Sequence, residues 1–260
     1  MPIADFVGKD YNCWGIREDG QWLEGPKEIT VEELAAKYIT KIKKIQPDGP
    51  YHVAGWCVGG TIAYEIVRQL EAAGEKVSYF AILDTTGPEA DSFENNVPFT
   101  LENEKKMVLR FATAKKTRKK IEEAQTVPEM WSILMSELDA QGLRPLILRL
   151  SLPKAFTAVI PNVENLDCRE LLCYFNKMRS LFNMQAAYRP CGMVNVTTHY
   201  FMARDTDVKN GLCWKKYCET FDLQYVEGNH LSMMERGKVK GLTDLMNRDL
   251  NAVCEAEGAL

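Results

Sequence analysis

Residues 53–60 read VAGWCVGG and place a thiol, Cys57, two positions after Gly55 and two before Gly59. This is Gly-x-Ser-x-Gly with sulfur in the nucleophile position. In that pattern the nucleophile occupies a strained strand-to-helix turn, the glycines relieve collisions between the two elements, and the amide after the nucleophile faces the developing oxyanion. Here that amide belongs to Val58. A nucleophile needs a base and an acid to orient it, in the chain order nucleophile, acid, His. His230, in VEGNHLSMME, stands where the base belongs. Two carboxylates compete for the acid: Asp84 in AILDTTGP and Asp205 in MARDTD. Both end strand-like runs, and the carboxyl ends of neighbouring strands meet on one rim, so spacing alone admits either.

The flanking sequence supplies the elements that would position these groups. DYNCWGI reads as a first strand. Residues 28–46 carry apolar residues at helical spacing and start with Thr30 three before Glu33, the signature of a capping box. YHVAGW then reads as a buried strand, GGTIAYEIVRQLEAAGE as a helix closed by Gly74, and VSYFAILDT as the next strand. Strand, helix, strand at this length predicts a right-handed parallel crossover. From about 100 to 188 the pattern is helical, in EKKMVLRF, PEMWSILMSELDAQ and DCRELLCYFNKMRSLFNMQAAY. Strand patterning returns in MVNVTTHYFMAR and FDLQYVEG before a last helix, VKGLTDLMNRDLNAVCE. The chain therefore reads as an α/β core over about 1–95 and 189–260 with a helical lid inserted over about 96–188.

Bulk properties narrow the chemistry. The 260 residues are 46% hydrophobic and 26% charged with a formal charge of −4, which favours neither nucleic acid nor a membrane surface as partner. Eight scattered Cys without a C-x-x-C pair, and a start lacking a basic and apolar leader, predict reduced thiols in a cytoplasm. His52, His199 and His230 are far apart in sequence and none is paired at ligand spacing, so no metal site is expected. The run KKTRKK (115–120) reads first as a solvated helix face and second as a docking patch for an acidic partner. Phe111, Trp131, Tyr174 and Phe182 read as core at helical spacing rather than as an acyl channel.

The stretch GPYHVAGWCVGGTIAYEIVRQLEAAGEKVSYFAILDTTGP resembles the thioesterase domain that ends nonribosomal peptide synthetases, within the α/β-hydrolase superfamily. That family reads G-[WY]-S-x-G-G at this point and LD at the close of the next strand. The likeness extends upstream to VEELAAKYITKIKKIQPDGPYH and downstream to AAYRP and GNH. It implies an α/β-hydrolase fold, with Cys57 as nucleophile, Asp84 rather than Asp205 as acid, His230 as base and Val58 as an oxyanion donor. It implies a substrate held as a thioester on the phosphopantetheine arm of a carrier protein, no cofactor bound by the domain itself, and release by hydrolysis or cyclisation. Two departures accompany it. Most relatives carry Ser where Cys57 stands. They also open with a strand and an H-P-x-G-G loop that gives the second oxyanion amide, whereas MPIADFVGKDYNCWGI reads as starting in the following helix, so the first strand is expected to be missing. Competing readings are a stand-alone editing thioesterase, a carrier-binding module in which Cys57 is an inert buried residue, and a Ser→Cys replacement that keeps the nucleophile role.

Overall fold

The computed structural model describes residues 2–8, 11–17, 27–88, 100–144 and 165–258. They divide into two compact units: Met1–Glu18, Ile29–Glu94 and Met184–Leu260 form the first, and Asp19–Glu28 with Asn95–Asn183 the second.

The first unit is built on a parallel four-stranded sheet in the order β1 (Tyr51–Trp56), β2 (Val77–Leu83), β3 (Thr198–Ala203), β4 (Phe221–Val226). Parallel strands need long crossovers, and α2 (Val58–Ala72) supplies the one between β1 and β2. Helix α1 (Val31–Ile45) precedes β1, and its start matches the sequence reading. The Thr30 hydroxyl accepts from Glu33 N–H while the Glu33 carboxylate accepts from Thr30 N–H, both at 3.1 Å. The end of α2 is also legible. Gly74 adopts φ +77°, Glu75 N–H donates to Leu70 O and Gly74 N–H to Glu71 O, a Schellman closure.

Strand alternation assigns the faces of the sheet. On β2, Tyr79, Ala81 and Leu83 join Phe201 and Ala203 of β3 in a core sealed by Val239, Leu242, Met246 and Leu250 of the last helix, Val239–Ala256. Phe80, pointing the other way, meets the Tyr64 ring of α2 at 6.4 Å. The two inner strands are almost wholly buried and the outer strands only partly, as expected when helices cover both faces.

The expected first strand in DYNCWGI is not found: residues 11–17 carry no strand, and no described strand precedes β1. Side chains of the last helix hold this N-terminal region instead. Gly8 N–H donates to Asn247 Oδ1, Asn247 Nδ2 donates to Phe6 O, and Tyr11 Oη donates to Asn251 Oδ1. Among the described residues its backbone has no sheet partner, and Trp14 stands 69% exposed.

The second unit is helical. It holds α3 (Leu101–Leu109), α4 (Lys115–Glu123), α5 (Val127–Ala140) and the start of α6 (Cys168–Ala187). Trp131 is buried in its core, against which Phe111 and Tyr174 pack, in line with the reading of these rings as structural. Two carboxylates serve structure here. Glu104 accepts from Trp131 Nε1 and pairs with Arg179. Glu137 receives the Thr113 and Ala114 amides that lead into α4. Desolvation would raise the Glu137 pKa, but hydrogen bonds from Thr113, Thr117 and these amides outweigh it and lower it to about 2. Among the described residues no helix is long and apolar enough to cross a membrane.

Candidate active site

Cys57 lies between the last residue of β1 and the first of α2, at φ 57° and ψ −134°. A non-glycine residue at positive φ stores about 1–3 kcal/mol of strain and persists only where its surroundings hold it. Those surroundings are identifiable. Cys57 N–H donates to Leu83 O at 3.3 Å, and Cys57 O accepts from Gly60 N–H and from the Thr85 hydroxyl, each at 2.9 Å. The fully buried Thr85 is itself pinned, because its carbonyl accepts from Tyr200 Oη and Trp214 Nε1.

Close packing explains two glycines, and one of them is not in the pentapeptide. A Cβ on Gly55 would meet Gly59 O at 2.1 Å, and a Cβ on Gly60 would meet Thr85 Oγ1 at 2.0 Å. A Cβ on Gly59 would meet nothing within 4 Å. The helix therefore crosses the sheet at Gly55 and Gly60. Val58 opens α2, and the N–H of a first helical residue has no acceptor within its helix.

Asp84 follows β2 and also has positive φ, +44°. Its amide donates to Phe201 O at 2.8 Å, which fixes the backbone against β3. Its buried carboxylate accepts from Ala203 N–H on Oδ1 at 3.0 Å and from the Thr206 hydroxyl on Oδ2 at 2.9 Å. The same Oδ2 lies 2.9 Å from His230 Nδ1. Asp205, the rival acid, is exposed after β3, where its amide donates to Gly228 O. The carboxylate on His230 is therefore that of Asp84.

His230 sits after β4 in a turn built by its neighbours. Gly228 takes φ +98°, and Asn229 Oδ1 accepts from the Leu231 and Ser232 amides. Burial alone would lower the imidazole pKa. Hydrogen bonding and charge from Asp84 and Cys57 override it and raise the pKa to about 10. Trp56, next to Cys57, stacks on the imidazole with centroids 5.1 Å apart and donates from Nε1 to His230 O at 3.1 Å. Cys57 follows β1, Asp84 follows β2 and His230 follows β4, all at the carboxyl end of the sheet, with the Asp84 carboxylate on the imidazole. Sequence reasoning assigned no part to Trp56, Thr85, Thr206 or Gly60. Trp56 and Gly60 left a trace, as the aromatic and the final glycine of the motif G-[WY]-S-x-G-G.

A second group of donors was not foreseen. His199 Nδ1 lies 3.1 Å from Asp222 Oδ2 and 3.5 Å from Asp249 Oδ2, within the span a metal ion could bridge. Those oxygens already accept from Gln224 Nε2, and Arg248 pairs with Asp249 Oδ1. The cluster is therefore a satisfied ion-pair network, in which a cation would have to displace the Gln224 amide.

Comparison with known proteins identifies the family. The profile of the thioesterase domain matches residues 17–250. A conidial pigment polyketide synthase of Pestalotiopsis fici is 45% identical over 84 residues, 32% of this chain and 4% of the relative. A dimodular nonribosomal peptide synthase of Bacillus subtilis is 42% identical over 80 residues, 30% of this chain and 3% of the relative. The chain thus spans only a few per cent of these relatives' length. Among solved structures, a four-domain nonribosomal peptide synthetase bound to AMP and glycine aligns with TM-score 0.58 at 23% identity, over 85% of this chain and 16% of that one. The NocB thioesterase domain in covalent complex with a fluorophosphonate nocardicin G analogue aligns with TM-score 0.52 at 17% identity, over 86% of this chain and 76% of that one. These likenesses establish an α/β-hydrolase-like thioesterase fold. With nearly the whole length matched by the domain profile, the chain belongs to the thioesterase domain family, akin to the thioesterases of peptide and polyketide synthetases.

Proposed function

We propose that this domain releases an acyl or peptidyl chain from the phosphopantetheine thioester of a carrier protein through an acyl-Cys57 intermediate. The observation that carries the reading is the 2.9 Å contact between Asp84 and His230 beside the strained Cys57 turn, with Cys57 acting on the same imidazole. An imidazole held by the Asp84 carboxylate beside the nucleophile turn is placed to take the proton of Cys57, as activation of a cysteine nucleophile requires.

In the first step Cys57 Sγ attacks the thioester carbonyl, and Val58 N–H stabilises the oxyanion. The carbon–sulfur bond to the pantetheine arm then breaks, and its sulfur takes the proton from His230. Thioester is exchanged for thioester, so the acyl group remains activated. In the second step water, or an amine or hydroxyl of the substrate, attacks the acyl-Cys57 carbonyl while His230 accepts its proton, and Cys57 leaves as thiolate. Water gives a linear acid and an internal nucleophile gives a ring. An activated acyl-enzyme would serve a weak or strained internal nucleophile as well as water.

The helical unit, inserted in sequence between β2 and β3, takes the part of a lid, and the lysines of α4 that of the carrier's docking patch. A cytoplasmic setting with reduced thiols fits this chemistry. The test loads a carrier protein with an acyl or peptidyl pantetheine and follows its release by mass spectrometry with the wild type and with Cys57→Ala. Release by the wild type and none above background by the variant supports the reading. Equal release by both removes it.

A further inference from the structure

Trp56 engages His230 at two points that serve different ends. Its indole lies nearly parallel to the imidazole, at 22° with 5.1 Å between centroids, and so covers one face of the ring. Its Nε1–H donates to the His230 carbonyl at 3.1 Å, and so ties the main chain of the turn that carries the imidazole. Trp56 is itself fixed as the last residue of β1, in register with Leu83, the residue before Asp84. One strand end thus presents the thiol and, from the adjacent position, a clamp on its partner.

The physics of the stack favours one charge state. A cation over the face of Trp is attracted by the ring quadrupole, more strongly than over Phe or Tyr. Nδ1 of the imidazole is held by Asp84, which leaves Nε2 to serve the sulfur.

We propose that Trp56 is a positioning residue for His230: stack and carbonyl clamp together keep Nδ1 on Asp84, present Nε2 to Cys57 and favour the protonated ring. The proposal rests on the thiol chemistry above and adds a role for the residue preceding the nucleophile. Trp56 itself transfers no proton.

The test compares wild type with Trp56→Phe, which keeps an aromatic face and loses the N–H donor, and Trp56→Leu, which keeps apolar cover and loses both. NMR titration of the His230 ring reads its charge directly. The expected midpoint falls by roughly half to one pH unit in Trp56→Leu and by less in Trp56→Phe. Alkylation of Cys57 by iodoacetamide at pH 7 slows in the same order, and kcat for a small acyl thioester falls with KM little changed. Identical titration midpoints in all three proteins, or a loss of activity through KM alone, overturn the proposal.

Should Trp56→Leu fail to fold, the intact protein gives a second reading. Imidazolium quenches a stacked indole, so emission attributable to Trp56, as the difference from Trp56→Phe, is expected to rise as His230 loses its proton. A Trp56 signal insensitive to pH overturns the proposal. None of these titrations requires turnover, so a wild type that never acylates would defeat the proposed function while leaving the role of Trp56 to be judged separately.

Discussion

Asp84 Oδ2 reaches His230 Nδ1 at 2.9 Å from a backbone held at φ +44°. The carboxylate is buried and takes further hydrogen bonds from Ala203 and Thr206. An acid so anchored orients the imidazole and stabilises its protonated form. Replacing Asp84 by Asn keeps the shape but places an amide where the charge was. The expected result is a loss of about 10²–10⁴-fold in kcat with folding retained. Thr206→Val removes one hydrogen bond to the same oxygen and is expected to cost roughly tenfold. Steady-state kinetics of a small acyl thioester checks both, and a larger loss for Thr206→Val than for Asp84→Asn would contradict the assignment.

The turn makes unequal demands on its glycines. Gly55→Ala and Gly60→Ala drive a Cβ into Gly59 O and Thr85 Oγ1. Overpacking of this kind is expected to lower Tm by roughly 5–10 °C. Gly59→Ala meets open space near the start of α2, where Ala is the better helix former, and is expected to leave Tm unchanged or slightly raised. Thermal melts of the three variants decide it. Equal damage from all three would mean that the crossing does not lie at Gly55 and Gly60.

His230 also ties stability to pH. Its pKa rises from 6.5 to about 10 on folding, so the folded state binds the proton more tightly than the unfolded chain. The resulting stabilisation is complete below about pH 6.5 and is lost as pH climbs through about 10. Urea midpoints of wild type and His230→Gln are expected to differ most at pH 6 and to converge by pH 10. A gap constant across that range would contradict the elevated pKa. Cys57→Ala removes one contributor and is expected to bring the His230 NMR titration to lower pH.

The residues of the basic run divide into two kinds. Arg118 donates to Leu109 O and Ala112 O and so closes the end of α3. Lys115, Lys116, Lys119 and Lys120 are exposed on α4. Changing these four to Glu is expected to lower kcat/KM for carrier-bound substrate about tenfold or more at low salt, with less effect at high salt. Small soluble thioesters should be spared. Equal losses for both substrates would argue against docking through α4.

How far the sequence discloses this site depends on the range of the interaction. Local chemistry is legible: the Thr30–Glu33 capping box, the Gly74 closure and the strand-to-helix turn at Cys57 each rest on neighbours within a few residues. Asp84 and His230 are readable as strand-end residues, but spacing leaves Asp205 as a rival. Family likeness selects Asp84, and the structure places its carboxylate 2.9 Å from His230 Nδ1. What escapes are contacts between distant segments. Trp56 on His230, Thr85 on Cys57 and the opposition of Gly60 to Thr85 depend on strand register, which no local pattern encodes. DYNCWGI misleads for the related reason that its aromatic-rich run imitates a strand, while side chains of the last helix hold that region.

The central claim is that the sulfur of Cys57 carries the acyl group. Intact-protein mass spectrometry after brief incubation with an acyl pantetheine thioester, followed by peptide mapping, measures it directly. One added acyl mass is expected on the peptide bearing Cys57, absent from Cys57→Ala and slow to form in Asp84→Asn. No adduct on the wild type during demonstrated turnover, or an acyl group mapped to another residue, would contradict it.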